Sequence, residues 1–218
     1  LFVVGEETDS IGAKTAAIST KKAGYIIVGE PTDNMLVAGH KGVLSYTLVV
    51  TGEAAHSAYP ERGTSAIHVL LDVLHRIKSS HWGSHPILGQ STVNIGLIQG
   101  GVAMNTLAPT AQATVIHRIV EDSDKQQKQL REIAGGEAEI HFHSIAEPQL
   151  LTLVRGFETK TVNYGTDIPY LKPLGSCLLF GPGSIHDAHT DNEHIDLRAV
   201  EEAISQYKKL FYGLIDAC

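Results

Sequence analysis

Short apolar runs that empty into glycine and then into an acid or a histidine set the terms on which this chain can fold. Residues 1–4 lead through Gly5 to Glu6 and Glu7, residues 25–28 lead through Gly29 to Glu30, and residues 177–180 open at Gly181 onto the loop that carries His189. Runs that are apolar at every position suit strands covered on both faces, as in a parallel sheet sandwiched by helices. In such sheets the binding and reacting groups collect beyond the carboxyl ends of the strands. The runs therefore predict an α/β architecture whose acids and imidazole gather at strand tips, a pattern that fits a metal-dependent hydrolase.

Composition removes other classes. Among 218 residues, 24 acids against 17 bases give a formal charge of -7. No Lys/Arg cluster exceeds a pair, so a nucleic-acid partner is not expected. No apolar run approaches the ~20 residues that span a bilayer, so a membrane partner is not expected either. Cys177 and Cys218 are too few for a disulfide framework and have no zinc-type spacing; they read as a buried thiol and a tail thiol. The chain begins inside an apolar run, without methionine or a signal-peptide pattern, and reads as a fragment.

The texture changes at Gly42. Leu44, Tyr46, Leu48 and Val50 alternate with smaller or polar neighbours, as in a half-exposed strand. Ala66, Ile67, Leu70, Leu71, Leu74 and Ile77 then recur at helical steps. Val93, Ile95 and Leu97 mark a second strand, residues 111–119 a third, and Ile140 with Phe142 a fourth. Between the last two, Ser123 with Gln126 resembles a capping box for a polar helix that Gly135 closes. The order βαββαβ predicts a ferredoxin-like domain over residues 42–144, inserted into a mostly parallel-sheet domain formed by 1–41 and 145–218. A closing helix there carries Leu197, Val200, Ile204, Tyr207, Leu210, Phe211 and Leu214 on its expected apolar face.

Adjacent glutamates after a strand point in different directions, so Glu7 suits a metal ligand while Glu6 suits a general base beside it. Glu30 places another carboxylate at a strand tip, and His189 lies in a Gly- and acid-rich loop with His186 and His194 nearby. His68 and His75 fall on the surface or edge of the amphipathic helix. Arg118 shares a strand face with Gln112 and Thr114, opposite Ala113 and Val115, and so projects from the uncovered side of its sheet.

Taken together, GEE, GEPT, GHKG, AHSAYPERG, NTLAP, NYGTDIP and GPGSIHDAHTDNEHI resemble the dizinc amidohydrolases and metallopeptidases that include acetylornithine deacetylase, succinyl-diaminopimelate desuccinylase, aminoacylase and glutamate carboxypeptidase. The resemblance covers almost the whole chain and is nearest to acetylornithine deacetylase through VNYGTDIP and GPGSI. It implies a zinc hydrolase of N-acyl amino acids or short peptides, with Glu6 as base, Glu7 and His189 on one zinc, and Glu30 on the other. Two zinc ions per complete site are implied, with cobalt as a substitute. The same likeness implies a homodimer through the inserted lid domain, from which His56 helps polarise the scissile carbonyl; Asn105, Arg118 and Gly183 contact substrate. An H-x-D motif that supplies further ligands in the family has no counterpart here, and Ile116 stands where many members carry aspartate. Carboxypeptidase or dipeptidase action within the same family, and a catalytically incomplete piece that only dimerises, are the alternatives. Localisation is left open, with the cytoplasm slightly favoured.

Overall fold

A computed structural model describes residues 1–19 and 21–216. In chain order the elements are α1 (Ile11–Ser19), β1 (Tyr25–Val28), β2 (Leu36–His40), β3 (Gly42–Thr51), α2 (Ala66–Ser79), β4 (Ser84–His85), β5 (Gly89–Gln90), β6 (Thr92–Gly100), β7 (Thr110–Ile119), α3 (Ser123–Ala134), β8 (Glu139–Ala146), β9 (Gln149–Leu150), β10 (Thr159–Val162), α4 (Ile168–Leu171), β11 (Ser176–Leu179) and α5 (Leu197–Ile215). They form two compact units, Leu1–His40 with Gln149–Cys218, and Lys41–Pro148. The architecture is α/β, with both parallel and antiparallel pairing.

In the first unit β1 runs parallel to β11, from Tyr25 opposite Ser176 to Val28 opposite Leu179. β2 is parallel to β10 and antiparallel to β9. Successive residues feed opposite layers. Ile26, Val28, Val37, Cys177 and Leu179 join Ala13 and Ala16 of α1 and Ile168 and Leu171 of α4. Tyr25, Ile27, Leu36, Leu178 and Phe180 join Leu210 and Leu214 of α5. Both faces are covered, which is why these runs are apolar at every position. Cys177 is a free buried thiol; Cys218 lies outside the described residues.

Residues 1–4 depart from expectation. They form no strand, and Leu1 and Phe2 are 86% and 103% exposed. An apolar run becomes a strand only where a ladder and two covering layers receive it, and here the run packs against α1 at Gly12, whose amide donates to the Val4 carbonyl at 2.9 Å, with no strand ladder among the described residues. The face of α5 also differs: Ala203, Leu210 and Leu214 are buried, whereas Leu197, Ile204 and Phe211 are exposed. The predicted seven residues span more of the helix circumference than one neighbouring sheet covers.

The second unit is the βαββαβ arrangement, with antiparallel strands ordered β6-β7-β3-β8 and a short β4–β5 hairpin. Leu44, Tyr46, Leu48 and Val50 of β3 meet Ala66, Leu70, Val73, Leu74 and Ile77 of α2 and Leu130 of α3 in one core. Leu71 is exposed because it lies more than a quarter turn from that stripe, and Val73 takes its place. In β6 a register shift between Ile95 and Leu97 breaks the alternation and leaves Leu97 and Ile98 exposed. The N-cap of α3 is Asp122, not Ser123: its carboxylate accepts from the Lys125 amide at 3.0 Å, while buried Gln126 donates to the Trp82 carbonyl at 3.1 Å. Gly135, at φ 59°, closes the helix as expected.

His117 is the anomaly of this core. It is 0% exposed, with Nε2 2.9 Å from the Tyr46 hydroxyl, Trp82 edge-on at 4.3 Å between ring centroids, and Nδ1 without a hydrogen-bond partner. Burial lowers its pKa to about 4. A base whose folded pKa lies below its unfolded value keeps the fold intact while neutral, and the unfolded chain gains protons first as the pH falls. Stability should therefore decline from about pH 6.5 to about pH 4, with a slope approaching ~1.4 kcal/mol per pH unit. Urea unfolding at several pH values checks this: His117→Phe should flatten the slope over that window, and an unchanged slope would assign acid sensitivity elsewhere.

Candidate active site

The first unit assembles its polar groups from three loops. Gly5 begins a turn in which the amides of Thr8, Asp9 and Ser10 donate to its carbonyl at 3.2, 3.1 and 2.7 Å. This turn carries half-buried Glu6 and exposed Glu7. Glu30 follows β1 by two residues, and His189 sits in the loop after β11.

The strand-tip loops after β1 and β11 are laced together. Thr32 Oγ1 donates to the Met35 and Gly181 carbonyls at 2.7 and 3.1 Å and accepts from the Gly181 amide at 3.0 Å. The amides of Thr32 and Asn34 donate to the Gly181 carbonyl, and that of Asp33 to the Gly183 carbonyl at 2.8 Å. A methyl group on Gly181 would lie 2.5 Å from the Glu30 carbonyl oxygen, so only glycine allows the chains this close. Gly183 stands at φ +85°, in the left-handed region, beside Ile195 and Pro31. Tyr164 donates to the Pro31 carbonyl at 3.1 Å, tying the NYGTDIP segment to the same turn.

His189 holds a left-handed backbone, at φ 60°, which is uncommon for a residue with a Cβ. Its amide donates to Glu193 at 2.9 Å, and its Nε2 lies 2.7 Å from Glu7 Oε1. The hydrogen bond and charge of Glu7 raise the imidazole pKa above its ordinary value. Glu30 is raised to about 7, first by burial and then by the charges of Glu6, Glu7 and Asp167. Glu6 is raised by burial, then by Glu7 and Asp167. Four carboxylates thus repel one another across a short span while one imidazole partners one of them.

The expected convergence is partial. Glu7 and His189 meet and Glu30 feels their neighbourhood, but among the described residues no three His, Cys, Asp or Glu side chains are grouped to hold a metal ion. Asp167, which is 2% exposed, was not among the residues expected at the site. Its signal was present in NYGTDIP, where an acid stands immediately before the buried helix residue Ile168.

The second unit separates its candidates. His56 bridges Thr106, the Ser57 amide donates to the Asn105 carbonyl at 2.9 Å, and His56 Nδ1 accepts from the Ala58 amide at 3.1 Å. His56 and Asn105 are therefore neighbours, both exposed. Arg118 lies on β7 opposite Val43 and Thr92, about eight residues or roughly 27 Å along the strand from the end near Asn105. Its side shares Gln112 and Thr114, while Ala111, Ala113 and Val115 enter the core.

Residues 38–141 match the family described as the peptidase dimerisation domain of the M20 group. A probable carboxypeptidase of Neosartorya fischeri is 40% identical over 99% of this chain and 56% of its own length. An M20 peptidase domain-containing protein of Schizosaccharomyces pombe is 40% identical over 96% of this chain and 54% of its own. The chain thus spans little more than half the length of these curated relatives. Among solved structures, the aminopeptidase PepT of Bacillus cereus aligns with a TM-score of 0.74 at 20% identity, over 94% of this chain and 61% of that one. A Bacillus subtilis protein described as a dinuclear metal binding peptidase from the M20 family aligns at 0.67 and 16% identity, over 98% and 62%. These two share the fold. The specific nearness to acetylornithine deacetylase gains no support from such relatives.

Gly181→Ala tests the lacing of the two loops. It should cost about 1–3 kcal/mol in chemical unfolding because backbone, not a movable side chain, blocks the new methyl group. Gly24→Ala, where nothing lies within 4 Å, should stay near neutral; equal effects would contradict the close-approach argument.

Proposed function

We propose that this chain, a member of the M20 peptidase family, is part of a metal-dependent hydrolase that cleaves short peptides at a free carboxyl end. The kinship to probable carboxypeptidases at about 40% identity over nearly the whole chain supports the reaction class. The observation that carries the chemistry is the Glu7–His189 pair beside Glu6 and Glu30. Carboxylate oxygens and an imidazole nitrogen suit zinc, with cobalt as a substitute. The unpartnered Oδ1 of Asp167 is a further sign that this pocket takes positive charge. Glu7 and His189 would hold one ion and Glu30 a second, with the remaining ligands supplied by other residues of the full-length protein.

When bound, such ions would lower the pKa of water to ~7 and so supply a nucleophile near neutrality. Glu6 takes the proton released as water attacks and hands it to the departing amine, and its raised pKa suits both directions of transfer. To ligate an ion through Nε2, His189 would have to give up the proton it shares with Glu7, so metal uptake should release protons. His56 and Asn105, held together on one loop pair, serve the carbonyl and substrate, and Arg118 offers its guanidinium to a carboxylate.

The second unit supports homodimerisation, in line with its family match and with the exposed Leu97 and Ile98 on edge strand β6. Among the described residues no helix is long and apolar enough to cross a membrane. N-acyl amino acids remain a second substrate class through the NYGTDIP and GPGSI motifs.

In a full-length protein loaded with zinc, peptides with free C-termini should be hydrolysed faster than N-acetyl amino acids; the reverse order would favour deacylation. Glu6→Gln should keep its metal and lose roughly 10²–10⁴-fold in turnover. Near-normal turnover would remove Glu6 from the role of base.

A further inference from the structure

Asp167 stands at the N-cap of α4, where an aspartate ordinarily accepts from the first amides of its helix. It does not: its side chain makes no capping bond, and the Ile168 amide donates to Thr166 Oγ1 at 3.2 Å, while the Asp167 main-chain carbonyl accepts the helix's ordinary first bonds from the Tyr170 and Leu171 amides at 3.1 and 3.2 Å. The carboxylate is 2% exposed and its Oδ1 has no hydrogen-bond partner. It lines a cavity of about 460 Å³ together with Glu6 and Glu30. Lys21 is on the same lining but exposed, so its hydrated ammonium offsets little of that buried charge.

A buried acceptor without a donor is costly, and an ionised one beside two further acids is costlier still. A capping bond at α4 would have relieved it locally, yet the side chain is turned away from that bond toward the other acids. Positive charge or donors supplied from the cavity would offset that cost. A compact cation with ordered water around it satisfies several carboxylates at once.

We propose that Asp167 is a positioning residue for the divalent cation of this site, accepting a hydrogen bond from the cation's ligand shell and holding Glu30 toward the metal. The assignment rests on the metal-hydrolase reading above. Groups in this outer position commonly change metal affinity by 10–100-fold when removed.

The test uses the full-length protein, stripped of metal and titrated with Co²⁺ alone, with visible absorption and calorimetry reporting affinity and ligand field. Asp167→Asn should bind Co²⁺ at least about ten-fold more weakly, with an altered visible spectrum. Its metal-free form should melt at or above the wild-type temperature, because the substitution removes an uncompensated buried charge. Co²⁺ affinity within about two-fold of wild type would overturn the role of Asp167 while leaving the metal reading intact. Metal-free Asp167→Asn that melts below wild type, or fails to fold, would also overturn it by showing an ordinary structural function. Wild-type protein that takes up no Co²⁺ would overturn the metal reading itself, and this proposal with it.

Discussion

The parallel pairing of β1 with β11 is the constraint on which the site depends. Parallel strands end on the same side, so the segment leaving Val28 and the segment leaving Leu179 must emerge together. The Phe180 amide continues the ladder to the Val28 carbonyl at 3.1 Å, and the loops then exchange bonds through Thr32 and Gly181. Burial of both sheet faces fixes this pairing, since a slip by one residue would exchange the sets facing α1 and α5. Hydrophobic packing around a few aliphatic side chains thereby decides where Glu30 stands. Its proton affinity follows from that placement.

Much of this was legible in the residues. The βαββαβ unit announces itself because each element buries one face, and the alternation in β3 and the stripe in α2 are direct records of that half-burial. Glu30 was equally visible at its strand tip, because glycine followed by glutamate after an apolar run has a restricted structural meaning, whereas the same signature before Glu6 and Glu7 follows a run that forms no strand. What was hidden depends on neighbours far away in the chain. Residues 1–4 have the composition of a strand but no described ladder, and composition does not reveal whether a partner strand is at hand. The bulge in β6 turns Leu97 outward through a local register shift that an alternating pattern conceals. Asp122 displaced Ser123 as the cap of α3 because both residues have suitable side chains and only backbone geometry decides between them.

The buried polar groups divide into two kinds. His117 is relieved by neutrality: one nitrogen meets Tyr46, the ring lies against Trp82, and losing the proton removes the charge altogether. Such a residue costs further stability in acid, beyond that of its unpartnered Nδ1. Acids in the first unit have a different escape. Glu30 can hold a proton up to about pH 7, yet above that pH it shares the site with Glu6, Glu7 and Asp167 as a set of like charges. Around neutrality Glu30 stands near its titration range, where a cation competes with a proton for its oxygens on nearly even terms.

This competition ties the fold to the chemistry. A site built wholly from paired charges would be stable alone and would gain little from a metal. A site of mutually repelling carboxylates gives up stability in the empty state and recovers it on loading, so metal binding and folding are linked through the same few oxygens. The Glu7–His189 contact sets a limit to this linkage. It occupies His189 Nε2 and Glu7 Oε1 with one another, so an ion held there would have to displace the proton between them. Affinity should therefore rise as the pH passes the imidazole's raised value, while the gain from Glu30 is complete only above about 7. Two strand-tip loops of one sheet thus present ligands whose proton affinities are set separately, that of Glu30 by burial and neighbouring acids and that of His189 by its bond to Glu7.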